Sequence, residues 1–324
     1  METLETLGDA GLMFVLELKE GCLQISSRYQ ENAGVIAACV LEAISQPYSA
    51  WYGLSQSGLF DGFFRRWTEK VAWTDLNQVQ QQRLLVETHQ MVEIPAGVFW
   101  MREDWRVRLT RPFAMGKYPV TQGLWQSIIK EPGMILNGAS RPIDRISARN
   151  CFQFCNKLSK REGFEPVYSI TTSSVLCDFD ADGYRLPTEA EWTYAAKAGD
   201  PFRFSGNDNI DEVAWYEQDR WRSSPRGVGQ KNPNGFGLYD MSGNVFEWCW
   251  DLFDISLPED DIPKHIITDE VTIDPIGTSN SFERTRRGGS YQLLASSSIV
   301  FNRYYIDPDY RDNDLGFRLV RSSL

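Results

Sequence analysis

Histidine is nearly missing from this chain: His89 and His265 are the only two in 324 residues, and cysteine stops at Cys249. A metal held by imidazoles needs several of them at helical spacing, and His89 has no second histidine near it, so histidine-bound iron is disfavoured. Both histidines are read as surface residues. The six cysteines, Cys22, Cys39, Cys151, Cys155, Cys177 and Cys249, lack the tight spacing of a disulfide-stapled scaffold, and free thiols in a reducing compartment are expected. Cys151 and Cys155 stand four apart on an expected helix and offer two sulfurs to a metal. Zinc would need two more ligands, so buried small residues are the preferred reading.

Positive charge is also short. Against 44 Asp and Glu there are 33 Lys and Arg, for a net charge of −11, and such a field repels phosphate backbones and anionic lipid. No direct nucleic-acid partner is expected. The basic cluster Arg284, Arg286 and Arg287 is read as a strand edge or as partners of internal carboxylates, ahead of a phosphate site. Long apolar runs are absent as well, since 12–16 and 33–44 are too short to cross a bilayer. No Lys or Arg precedes Lys19, which a secretory start would require. A cytoplasmic protein without membrane contact is the expectation.

Aromatic residues, by contrast, are plentiful: 11 Trp, 13 Tyr and 18 Phe suit a loop-rich fold packed on large rings. The length allows two units, which the change of texture divides at 1–88 and 89–324. In the first, 12–18 and 22–27 read as a hairpin across Lys19-Glu20-Gly21, while 33–45, 58–73 and 75–90 read as helices. A smaller, mainly helical region for packing or partner docking follows from this. In the second, Met91 to Trp100 has strand character on both sides of Pro95-Ala96-Gly97. Thr121, Ser147 and Thr188 read as helix N-caps, the last completed by Glu191 in a capping box.

Six ordered blocks follow one another between residues 91 and 322: VEIPAG at Val92–Gly97, YPVTQ at Tyr118–Gln122, YRLPTEAEW at Tyr184–Trp192, NPNGFGLYDMSGNVFEW at Asn232–Trp248, RGGSY at Arg287–Tyr291 and LGFRL at Leu315–Leu319. In this order they resemble the formylglycine-generating enzyme, or sulfatase-modifying factor, domain family. The resemblance implies an α+β fold, an irregular C-type-lectin-like domain of small mixed sheets and long loops, here preceded by the helical region. Within the fourth block, glycines permit the turn at 234–237, and Leu238-Tyr239 is expected to begin a buried strand. By resemblance, Asp240 and Glu247 side chains with the carbonyls of Gly243 and Val245 form a structural calcium site. Hard oxygen donors suit calcium, and a hydrogen-bonded turn suits the same pattern equally well.

Active relatives oxidise a cysteine to formylglycine with copper held by two thiolates, and Cu(I) has no substitute for sulfur in hydroxyl or alkyl groups. Here the matching positions are Leu293 and Ser298, and no cysteine lies anywhere from Gly288 to Leu324. The expectation is a protein that is not an enzyme and carries no catalytic cofactor, with a metal-dependent oxidase or oxygenase of altered chemistry as the alternative. The stretch that lost the thiols holds Tyr291, Ser296, Ser298, Phe301, Asn302, Tyr304, Tyr305, Asp307 and Tyr310, side chains of the paratope type. A surface for a protein partner is preferred over plain core. The same frame resembles variable proteins of diversity-generating retroelements, and a fixed subunit of a bacterial signalling or defence assembly is the other form considered. The loop at 222–226 is the expected flank of this surface.

Overall fold

Side-chain caps start the helices where the sequence places them. Asn77 and Gln80 make a reciprocal capping box ahead of α1 (Gln78–Thr88), and Thr121 caps α2 (Gln122–Ile128). Ser147 with Asn150 opens α3 (Ala148–Glu162), and Thr188 with Glu191 opens α4 (Glu189–Lys197). Each cap satisfies amide groups that the first helical turn leaves without partners. A short α5 (Ile210–Val213) follows. The computed structural model describes residues 65–66, 68–103, 105–129, 138–217, 224–253, 271–277 and 281–322, and the backbone of 3–7, 13–19 and 22–27.

At the N-terminus β1 (Thr3–Leu7), β2 (Met13–Lys19) and β3 (Cys22–Ser27) form an antiparallel meander. The expected hairpin is β2–β3, with Lys19 opposite Cys22. Strand β1 is an addition that the sequence reading lacked. The helix expected over 33–45, and the 58–73 helix before Arg65, lie outside the described residues. From Arg65 onward the chain is stitched to the body. Arg65 donates to Tyr118 Oη at 2.8 Å, the Val71 carbonyl accepts from Ala139, and buried Glu69 accepts from Gln230 at 2.7 Å and Arg226 at 3.3 Å.

The body is α+β. It contains β4 (Met91–Ile94), β5 (Gly97–Arg102), β6 (Trp105–Leu109), β7 (Phe113–Gly116), β8 (Tyr168–Ile170), β9 (Val175–Cys177), β10 (Tyr184–Arg185), β11 (Phe246–Leu252), β12 (Thr272–Ile273), β13 (Arg284–Arg287), β14 (Tyr304–Ile306), β15 (Leu315–Phe317) and β16 (Val320–Ser322). Two four-stranded sheets, in the orders β10-β16-β7-β4 and β14-β13-β11-β15, are joined where β15 runs into β16. A three-stranded sheet, β12-β6-β5, lies beside them, and β8 pairs with β9.

Aromatic packing fills the space between these layers. Trp125 stacks on Phe154 at 5.1 Å, and Phe317 meets both edge-on. Cys151 and Cys155 are buried in this core, where desolvation pushes their thiols well above the ordinary range and Cys151 bonds the Ser147 carbonyl. His89 is not the surface residue expected. It is half-buried, 3.2 Å from Glu162 and 3.4 Å from the Tyr184 hydroxyl. Among the described residues no helix is long and apolar enough to cross a membrane.

One ion pair lies at the junction of the two larger sheets. Arg318 and Glu247, with side chains 0% and 1% exposed, meet at 2.8 Å, and the same guanidinium donates to the carbonyls of Gly116 and Tyr239. Replacing Arg318 by Met keeps the aliphatic stem but leaves Glu247 charged and buried, at a cost of about 3–5 kcal/mol. Urea denaturation of Arg318→Met should show a loss of that size with an unchanged slope.

Candidate functional site

The Gly-Gly-Ser and Gly-Phe-Arg blocks border one segment, and the structure shows why each is needed. After β13 the chain turns through Gly288 and Gly289, at φ of 95° and 74°, where only glycine is unstrained. A Cβ on Gly289 would also stand 2.5 Å from Ser298 Oγ, so the turn lies directly on Ser297 and Ser298. Ser290 then donates to Asp314 at 2.6 Å and closes the segment at its base. Arg287 is buried and donates to Glu189, Thr193 and the Val300 carbonyl. Arg303 grips the same Glu189 with two bonds of 2.7 Å. Burial works against the Glu189 charge, but Arg303 and then Arg287 hold its carboxyl below the usual range.

The expected contact residues divide into three groups. Ser296, Phe301, Tyr305, Asp307 and Tyr310 are exposed, and Asn302 and Tyr304 are half-buried. Tyr291 and Ser298 are buried at 2% and 0% exposure, which removes them from any contact surface. The glycine turn directs Tyr291 inward, where its amide bonds the Asn244 carbonyl, its hydroxyl accepts from Gln292, and burial raises its pKa. Asn302 gathers its neighbours by donating to the Ser296 carbonyl and to Tyr304 Oη. Tyr305 stacks on Phe253 at 4.1 Å, and Tyr310 follows an Asp307 turn and bonds Asp312. Phe301 stands apart, under Lys197.

Sequence reasoning missed two aromatic neighbours of this surface. Phe253 supports Tyr305, and Phe282 is 92% exposed on the approach to β13. A phenylalanine just ahead of arginine-rich β13 was visible in the sequence, but its solvent exposure was not. Of the flanking loop, Arg226 bonds Asn244 and lies over Trp215, while 222–223 fall outside the described residues. The basic cluster has inward roles. Arg284 lies between Phe152 and Trp250, Arg286 covers Phe246, and Arg287 is paired as above.

The residues aligned with a calcium site do not fit that ion. Both oxygens of Glu247 are engaged by Arg318, and one also accepts from the Trp192 indole at 2.7 Å. Asp240 accepts from the Gly229 amide and the Asn244 side chain, and Gly243 and Asn244 adopt left-handed conformations. This is the hydrogen-bonded turn, with a guanidinium where a cation would sit. The strand expected at Leu238-Tyr239 starts instead at Phe246, because 236–245 is consumed by that turn.

Four carboxyl groups of this region, Asp144, Asp240, Asp251 and Asp314, are displaced upward by burial. Asp144, beside Arg145, Arg141 and Asp314, is pushed to about 6, and Asp251, which accepts from the Glu189 amide at 2.6 Å, to about 7. Both favour the protonated form in the fold. Their contribution to stability is full below about pH 4, where unfolded carboxyls protonate, and is lost as pH rises through 6 and 7. The melting temperature should therefore fall between about pH 5 and about pH 8, and Asp251→Asn should flatten the upper part of that profile. Adding millimolar calcium, or chelating it, should leave the melting temperature unchanged in a thermal-shift measurement.

Comparison with known proteins agrees with this frame. The sulfatase-modifying factor enzyme 1-like domain profile matches residues 76–323. A chaperone protein, LppX, of Paenibacillus barcinonensis is 37% identical over 244 residues, covering 65% of this chain and 80% of that protein. A formylglycine-generating enzyme of Streptomyces coelicolor is 34% identical over 178 residues, covering 49% of this chain and only 53% of the enzyme. Among solved structures, Treponema denticola variable protein 1 superposes with a TM-score of 0.64 at 30% identity, over 72% of this chain and 95% of its own. PvdO of Pseudomonas aeruginosa, at 24% identity and a TM-score of 0.55 over 72% of this chain and 95% of its own, shares the fold. With its C-type-lectin-like architecture and its profile match over most of its length, this chain belongs to the formylglycine-generating enzyme, or sulfatase-modifying factor, domain family.

Proposed function

We propose that the chain is a non-catalytic binding protein that uses the family's domain as a rigid base and engages a protein partner through the exposed part of residues 291–314. The observation that carries this reading is the content of the frame. Where the active family needs two thiolates stand Leu293 and Ser298, and the surface beside them offers Tyr305, Asp307 and Tyr310. Aromatic rings lose little entropy on docking, and short polar side chains adapt their hydrogen bonds to the partner. Similarity to a variable protein and to a protein named a chaperone supports the same reading.

Two forms of this function fit. A retroelement variable protein would have a reverse transcriptase gene and an adenine-rich template repeat beside its own gene, and a fixed subunit of a signalling or defence assembly would not. In either form Tyr305→Ala with Tyr310→Ala should abolish capture of the partner from the native cell, each hot-spot tyrosine contributing about 2 kcal/mol or more. Copper or iron in the purified protein, together with oxygen uptake on a thiol peptide, would overturn the proposal in favour of oxidase chemistry.

A further inference from the structure

The sheet β12-β6-β5 packs one face on a core that also holds Trp192 and Met241, and its other face carries exposed side chains. Phe99, Met101, Val107 and Leu109 point inward. On the outer face the register sets Trp100 opposite Arg106 and Val98 opposite Arg108, with Ile273 alongside Arg108. Trp100 and Ile273 are 51% and 60% exposed, and the Arg106 guanidinium lies 5.7 Å from the Trp100 ring. Arg106 and Arg108 are both exposed, and neither makes an ion pair among the described residues. Nearby Asp274 is committed to the amide and hydroxyl of Thr110. Lys197 closes the β5 edge by donating to the Trp100 carbonyl at 3.0 Å, and it carries Phe301 at 4.5 Å.

Two unpaired arginines beside an exposed tryptophan form a cationic, apolar island on a chain whose net charge is −11. Along β6 their Cα atoms are separated by two residues, about 6.5–7 Å, which is also the spacing of alternate side chains on a second extended chain. Guanidinium groups bind carboxylates in paired, planar hydrogen bonds, and Trp100, Val98 and Ile273 offer apolar surface between and beside them. We propose that this face docks an extended acidic segment of a partner protein, with carboxylates at alternate positions seated on Arg106 and Arg108 and an apolar side chain against Trp100. A nucleic acid also presents spaced anions, but a polyanion meets the repulsion of the whole molecule, whereas a short peptide meets the local guanidiniums.

The test is fluorescence anisotropy of a labelled peptide of alternating Glu and Leu, titrated with the full chain at low salt. Saturable binding is expected, weakened at least about tenfold, or about 1.4 kcal/mol, by Arg106→Glu with Arg108→Glu, and weakened also by Trp100→Ala. The same peptide with Gln for Glu should bind as poorly as the charge-reversed variant binds the original. Tyr305→Ala with Tyr310→Ala should leave binding intact, which separates this face from the one proposed above. Melting temperatures within error of the parent show that the exposed substitutions leave the fold whole. No binding, equal binding by the charge-reversed variant, equal binding of the Gln peptide, or tighter binding of an oligothymidylate would each overturn the proposal.

Discussion

A guanidinium with no solvent contact holds the domain's two larger sheets in register. Arg318 stands in the short link between β15 and β16, and those strands belong to different sheets. Its nitrogens reach Glu247 on β11, the Gly116 carbonyl at the end of β7 and the Tyr239 carbonyl in the long turn. Glu247 in turn accepts from Trp192 on α4. A buried charge is costly wherever its donors and acceptors go unmatched, so this one pair constrains a strand link, two sheets, a helix and a turn together.

A second buried carboxylate extends that rigidity to the surface. Glu189 is held by Arg287, just before the glycine turn, and by Arg303, in the middle of the segment that follows. Ser290 and Asp314 join the two ends. The exposed tyrosines thus stand on a segment tied down at its start, middle and end. A surface that is already ordered loses less entropy when a partner binds, and its side chains can differ without disturbing the base beneath them.

The parts of this architecture that were legible in the sequence are those set by local chemistry. Thr121, Ser147 and Thr188 cap helices because a hydroxyl can reach an amide two or three residues on, whatever lies further away. The strands flanking Pro95-Ala96-Gly97 were legible from alternation and turn residues. Three readings failed for the opposite reason. Tyr291 and Ser298 have the composition of a surface yet are buried, because the Gly288-Gly289 turn folds them under the segment. The strand after Asn234 begins later than expected because Asp240 and Asn244 are used in a turn closed by Arg318, which donates to the Tyr239 carbonyl from far along the chain. His89 was read as a surface residue, but its ring faces Glu162 on α3 and Tyr184 on β10.

Sequence alone determined the family frame, the helix starts and the absence of any cysteine after Cys249, since each of these is a matter of which residue occupies which place. Tertiary structure decided which side chains of residues 291–314 face solvent, why the aligned calcium ligands form a turn closed by Arg318, and how Arg106, Arg108 and Trp100 come to share one exposed face. Those outcomes depend on strand register and on charge partners far apart in the chain, and long-range pairing is settled only when the sheets close around a common core.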